Sequence, residues 1–362
     1  MTVTHNVAEQ PTQSDISSPT DIDGQRRGHR VRRALSFQNI SALYVFAIIF
    51  LVFSLWVPET FLSTNMWRAL IDSQVVTAMV AIGLTVALAA GMPELAIGAE
   101  LGFGAILAAW FVSEHNMPVI TTILLTVLAG ALVGVVNAIM VIRFRIDSFI
   151  ATLAMSSILL AMIAWVSDSQ QILGLSKSYQ TLGTTRMYGL TLAVYVMLAI
   201  TLVYWYVLER TPVGRRVYAT GGNIEAARLA GVRTRWVVVG SLAACGASAA
   251  FAGVLVSSRL GTGDPSIGPS YMLPAFSAAF LGSTQFRGGR FNVCGTVVAV
   301  YVLATGVKGL QLAGAPIWIP NLFNGVALLI AVGAAKHERT ARRGGAVRRT
   351  LRMDKTDTGN TG

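Results

Sequence analysis

The stretch RTPVGRRVYATGGNIEAARLAGVRTRW, residues 210–236, carries six arginines and lies between two charge-free apolar runs, 189–208 and 236–258. Crossing the hydrocarbon core of a bilayer takes about 20 apolar residues in a helix. A basic segment held between two such runs reads as a loop on one face of a membrane. Within the loop, Gly221-Gly222 marks a break. Asn223 is a good N-cap, because its side chain can accept from the free N–H groups of a first helical turn. Glu225 then sits near the positive end of the helix dipole. Ala226, Ala227, Leu229 and Ala230 favour helix, and Gly231 can take the left-handed conformation that ends one. The product is about two turns of helix with a small-residue face. Two readings fit it equally: a docking element for a partner protein, or a helix lying on anionic lipid headgroups.

The same pattern extends outward. The chain has 362 residues, of which 54% are hydrophobic and 12% charged, against roughly 25% charged in a soluble protein. The apolar residues collect into ten runs, at 41–57, 75–90, 95–112, 118–142, 148–166, 189–208, 236–258, 270–286, 291–311 and 317–335. Residues 67–73 read either as an interfacial helix or as the start of the second run. The fold class expected is an all-α polytopic membrane protein of about ten transmembrane helices.

Net charge is +11, and its placement sets the orientation. With the N-terminus inside and the runs alternating, 23 of the 28 lysines and arginines fall on the inner side, as the positive-inside rule requires. Both termini are then expected in the cytoplasm. Residues 1–40 read as a disordered basic arm without a cleaved leader, 41–335 as the permeation domain with its inner loop at 209–235, and 336–362 as a disordered basic tail. No folded basic domain exists for nucleic acid. The loop at 167–188 is the longest on the outer side and reads equally as a partner surface or a connector.

The chain lacks the devices of catalysis. No G-x-x-x-x-G-K-[ST] phosphate loop occurs. The four histidines are scattered outside the runs, Cys245 and Cys294 read as small buried apolar residues, and no metal or cofactor is expected. Among polar groups in or near the runs, Glu94, Glu100 and Lys308 stand out, since an ionisable side chain at the centre of a membrane helix costs roughly 2.5–3.5 kcal/mol on insertion scales. They line a water-filled pathway, or an acid pairs with Lys308, or Glu94 sits in a surface turn beside Pro93. Asn137 and Asn324 read as pathway residues or as helix–helix hydrogen bonds. The Gly98/Gly102 and Gly130/Gly134 spacings read as close-packing sites.

The loop TPVGRRVYATGGNIEAARLAGV resembles the cytoplasmic loop of permease subunits of ribose-type ATP-binding-cassette importers. LAAGMPELAIGAELGFGAILAA (88–109), VVNAIMVIRFRIDSFIATLAM (135–155) and GDPSIGPSYMLPAFSAAFLGSTQFRGGRFNVCGTVVA (263–299) resemble further segments of that family, in the same order. The resemblance implies that Gly222, Asn223, Glu225, Ala226, Ala227, Arg228 and Gly231 form a coupling helix docking on a separate ATPase subunit. It implies a second permease copy, an extracytoplasmic solute-binding protein and a small polar solute, foremost a monosaccharide, carried across the bacterial inner membrane. The chain departs from the family in having Glu94 for Asp, Ala96 for Ser and Lys308 for Asn. The competing expectation is an ion-coupled secondary transporter using Glu94 or Glu100.

Overall fold

A computed structural model describes residues 41–285 and 289–333. The basic arm, the tail from 336 and the turn at Arg287-Gly288 lie outside these residues. The described chain is almost entirely helical. In order the helices are α1 (Ser41–Trp56), α2 (Pro58–Phe61), α3 (Thr64–Ser73), α4 (Val75–Ala89), α5 (Ile97–Ser113), α6 (Val119–Arg143), α7 (Ser148–Ser167) and α8 (Lys177–Thr184). A two-stranded ribbon, β1 (Arg186–Met187) and β2 (Leu190–Thr191), leads into α9 (Leu192–Arg210), α10 (Pro212–Gly222), α11 (Ile224–Leu229), α12 (Thr234–Leu260), α13 (Pro269–Gln285) and α14 (Val293–Leu312). Ile319–Gly333 forms α15.

Each of the ten apolar runs contains a helix among its described residues. Five of them, α6, α7, α9, α12 and α14, are long and apolar enough to cross a membrane unaided. The pair α3 and α4, bent by 42° at the break between them, is together long and apolar enough for a sixth. Residues 67–73 therefore belong to a short helix that meets the second span at an angle. The shorter α1, α5 and α15 are also apolar.

The centre of the bundle is α4. It is apolar on every side, and all its residues from Val75 to Ala89 are buried, as expected of a helix with neighbours all round. It is enclosed by α9, α12, α13 and α14. Lipid tails give little hydrophobic push between helices, so close approach and polar ties hold such bundles. Both are present. Gly130 and Gly134 of α6 lie against the backbone of Gly246 and Leu242 on α12, where an added Cβ would overlap a carbonyl oxygen. The hydroxyls of Thr85 on α4 and Thr296 on α14 meet at 2.8 Å in the core. Rings of Phe50, Phe61 and Trp67, with centroids 5.6–5.9 Å apart, fasten α1 to α2 and α3. Of the two cysteines, Cys245 is buried, but Cys294 is exposed.

The connections fall on two faces. Residues 89–94, 209–235 and 289–292 gather on one, which is the arginine-rich face. The opposite face holds α8, the β ribbon and the ends of α3 and α12.

Candidate functional site

The arginine-rich face is built from two consecutive helices where the sequence pattern predicts one. Thr211-Pro212 starts α10, with the proline in the first turn where its missing N–H costs nothing. The helix ends at Gly222, so Gly221-Gly222 marks its boundary with α11, as the sequence implies. The Cα of Gly221 sits on the turn that follows α4, so closely that a Cβ would overlap the carbonyl oxygen of Ala89. Gly91, at the facing point, has φ +80°, a conformation that favours glycine. Gly214, Val217 and Thr220 form the buried stripe of α10. Tyr218 donates its hydroxyl to the Phe291 carbonyl at 2.8 Å, and the Arg290 guanidinium lies 4.1 Å from its ring centroid. Thus α10 is fixed at once to the turn after α4 and to the segment before α14.

A tightly capped α11 follows. The Asn223 side-chain oxygen accepts from the N–H groups of Glu225 at 3.1 Å and Ala226 at 3.0 Å. At the other end Gly231 has φ +82°. Its N–H bonds the Arg228 carbonyl, and the N–H of Val232 bonds the Ala227 carbonyl, each at 3.0 Å. These two bonds close the helix in a Schellman motif. Gly222, Asn223, Ala226 and Arg228 are all exposed. Glu225 and Arg228 pair across one turn at 2.8 Å, and Leu229 is 85% exposed. One expectation needs correction. Ala227 is only 5% exposed and faces the protein's own body, so it does not belong to a docking surface. The open face comprises Glu225, Ala226, Arg228 and Leu229.

The turn that seats Gly221 leads directly into the buried acids. Glu94 is fully buried. One of its carboxylate oxygens accepts from the Ala96 N–H and from the Asn137 side-chain amide, both at 3.2 Å, and the other from the same amide at 3.3 Å. Ser148 donates to the Pro93 carbonyl at 2.9 Å, and the Leu95 N–H donates to the Thr152 hydroxyl at 3.0 Å. Residues 91–95 are therefore pinned by α6, α7 and α10 together. Farther along α5, Glu100 is buried, and neither of its carboxylate oxygens has a hydrogen-bond partner among the described residues. The Asn137 side-chain carbonyl is likewise buried without one.

The other polar residues lie elsewhere. Lys308 is half-buried on α14, four residues before Leu312 at the opposite face. Among the described residues no ion pair joins it to Glu94 or Glu100. Asn324 is buried on α15, where its backbone carbonyl accepts from the Ser277 hydroxyl at 2.9 Å. The site thus unites Glu94, Glu100 and Asn137 and leaves Lys308 and Asn324 apart. Sequence reasoning missed α10 as a seated arm. The available signals were Pro212 and the spacing of Gly214, Val217 and Thr220.

Residues 68–332 match the family model described as branched-chain amino acid transport system / permease component. The chain is 30% identical over 290 residues to the ribose import permease protein RbsC of Haemophilus influenzae, covering 79% of this chain and 89% of that protein. It is 28% identical over 336 residues to the L-arabinose ABC transporter permease protein AraH of Azospirillum brasilense, covering 93% and 98%. It is also 29% identical over 260 residues to the autoinducer 2 import system permease protein LsrD of Escherichia coli, covering 70% and 78%. No solved structure matches the chain. Ordered helices, a family model spanning most of the chain and relatives matched along most of their length lead to one conclusion: the chain belongs to the branched-chain amino acid transport system / permease component family.

Proposed function

We propose that this protein is the membrane-spanning subunit of an ATP-driven importer of a small sugar, with the arginine-rich face in the cytoplasm. A separate ATPase docks on α11, a solute-binding protein delivers sugar to the opposite face, and a second copy of the chain completes the pathway. The chain itself carries out no chemical step. Its relatives named for ribose and L-arabinose support a polyhydroxylated solute.

The observation that carries this reading is the seating of α10. An exposed, rigidly capped helix would be a passive ornament on a flexible loop. Here α11 is mounted on an arm wedged against the Ala89–Gly91 turn through Gly221 and against Phe291 through Tyr218. A push on α11 reaches the ends of α4, α5 and α14 through packed atoms. Residues 91–95 carry it on to Asn137 of α6 and to Ser148 and Thr152 of α7. Alternating access needs this kind of rigid-body transmission.

The test is capture of the cognate ATPase by the detergent-solubilised chain. Glu225→Lys and Leu229→Asp both alter the open face without touching the buried one. Each variant should express normally and lose most of the captured ATPase. Undiminished capture by both would remove α11 from the interface.

A further inference from the structure

A cleft of about 840 Å3 opens on the arginine-rich face between α9, α10 and α12. Most of its wall is apolar, formed by Val207 and Leu208 of α9, Val217 of α10, and Val237 and Ala244 of α12, with the hydroxyl-bearing Tyr204 and Ser241 set among them. Two exposed cations, Arg216 and Arg233, also line it, and no acidic side chain does so among the described residues. Trp236 lies next to Arg233 and is 72% exposed, in the position where indole rings settle at a membrane–water boundary. From Trp236 to Ala244 the helix rises about 12 Å, so the cleft runs well into the hydrocarbon zone. On its α9 flank, Leu202, Val203 and Tyr206 are exposed in the manner of a lipid-facing surface.

We infer that this cleft binds an anionic phospholipid, with one acyl chain in the apolar slot and the phosphate between Arg216 and Arg233. Charge complementarity selects the occupant. A sugar would meet mostly apolar wall, and a zwitterionic lipid would bring a cation beside two arginines. The occupant also touches Ala230, Gly231 and Val232, the residues that close α11, so its presence stiffens the mounting of that helix. The inference does not depend on which solute the protein carries.

Native mass spectrometry of the full chain in detergent tests it, with dioleoylphosphatidylglycerol and dioleoylphosphatidylcholine as probes. The wild-type chain should retain one phosphatidylglycerol in preference to phosphatidylcholine, and excess inorganic phosphate should not displace it. Removing both cations in R216A/R233A should lower the phosphatidylglycerol affinity roughly thirty-fold and leave phosphatidylcholine unaffected. Gly240→Leu fills the slot by another route. A Cβ there meets nothing within 4 Å, so the variant should melt as the wild type does while neither lipid is retained. Equal retention of the two lipids by the wild type, displacement by phosphate alone, or full phosphatidylglycerol retention by either variant would overturn the assignment.

Discussion

Two short helices, α8 and α11, ride on connections between spans at opposite faces of the protein, and they are held in opposite ways. Tyr179 of α8 is fully buried, with its hydroxyl 3.0 Å from the Val254 carbonyl and 2.6 Å from the Ser257 hydroxyl of α12. Ser258 donates to the Tyr179 carbonyl at 2.6 Å and accepts from the Gly183 N–H at 3.0 Å. Nearby, Arg259 donates to the Asp72 carbonyl at 2.6 Å, while the Asp72 side chain accepts from Thr191. The segment is part of the folded body. In contrast, α11 buries Ala227 alone and closes its own ends. Its rigidity is internal, and its attachment runs through α10. A helix welded into the bundle provides a fixed platform. A helix stiff in itself but free on its outer surface provides a handle.

The contrast breaks first where most is buried. Tyr179→Ala should cost about 3–5 kcal/mol, seen as a large fall in melting temperature in detergent, whereas Leu229→Asp should leave melting unchanged. Similar melting of the two variants would erase the distinction. Next in size is Gly221→Val, which forces side-chain atoms against the Ala89 carbonyl. Overpacking costs about 1–3 kcal/mol, and the expected result is a folded protein whose uptake falls more than its stability. Asn223→Ala removes a cap worth about 1 kcal/mol. Hydrogen exchange over residues 224–231 should quicken roughly five-fold with no change over α8. The smallest stability effect belongs to Arg228→Ala, because an exposed pair contributes about 0–1 kcal/mol. Melting should not move, and any loss should appear in ATPase capture.

Much of this was legible in the sequence, and the gaps have a common cause. Apolar runs of span length mark helices regardless of neighbours, because the membrane demands internal backbone hydrogen bonds. Each of the ten runs contains a helix. The ends of α11 were also readable, since Asn223 and Gly231 act through their own backbone geometry. The misreadings concern contacts between distant segments. Gly221-Gly222 does end α10, but nothing local shows that Gly221 is also where α10 meets residues 89–91. Ala227 belongs by composition to a small-residue face, but only the fold shows which way that face turns. The anchoring of α8 by Ser257 and Ser258 joins residues far apart in the chain, and nothing local announces it. Glu94 and Asn137, by contrast, were both visible as polar groups in or beside apolar runs. Their hydrogen bond explains how one of the buried acids is tolerated.

The most direct measurement is solute uptake into proteoliposomes holding this chain, its cognate ATPase and its solute-binding protein, with a panel of labelled monosaccharides. The expected result is accumulation of a sugar that requires ATP on the arginine-rich face, persists when the proton gradient is collapsed, and is lost in Glu225→Lys. Accumulation by the chain alone, driven by a proton gradient with no ATPase present, would contradict it.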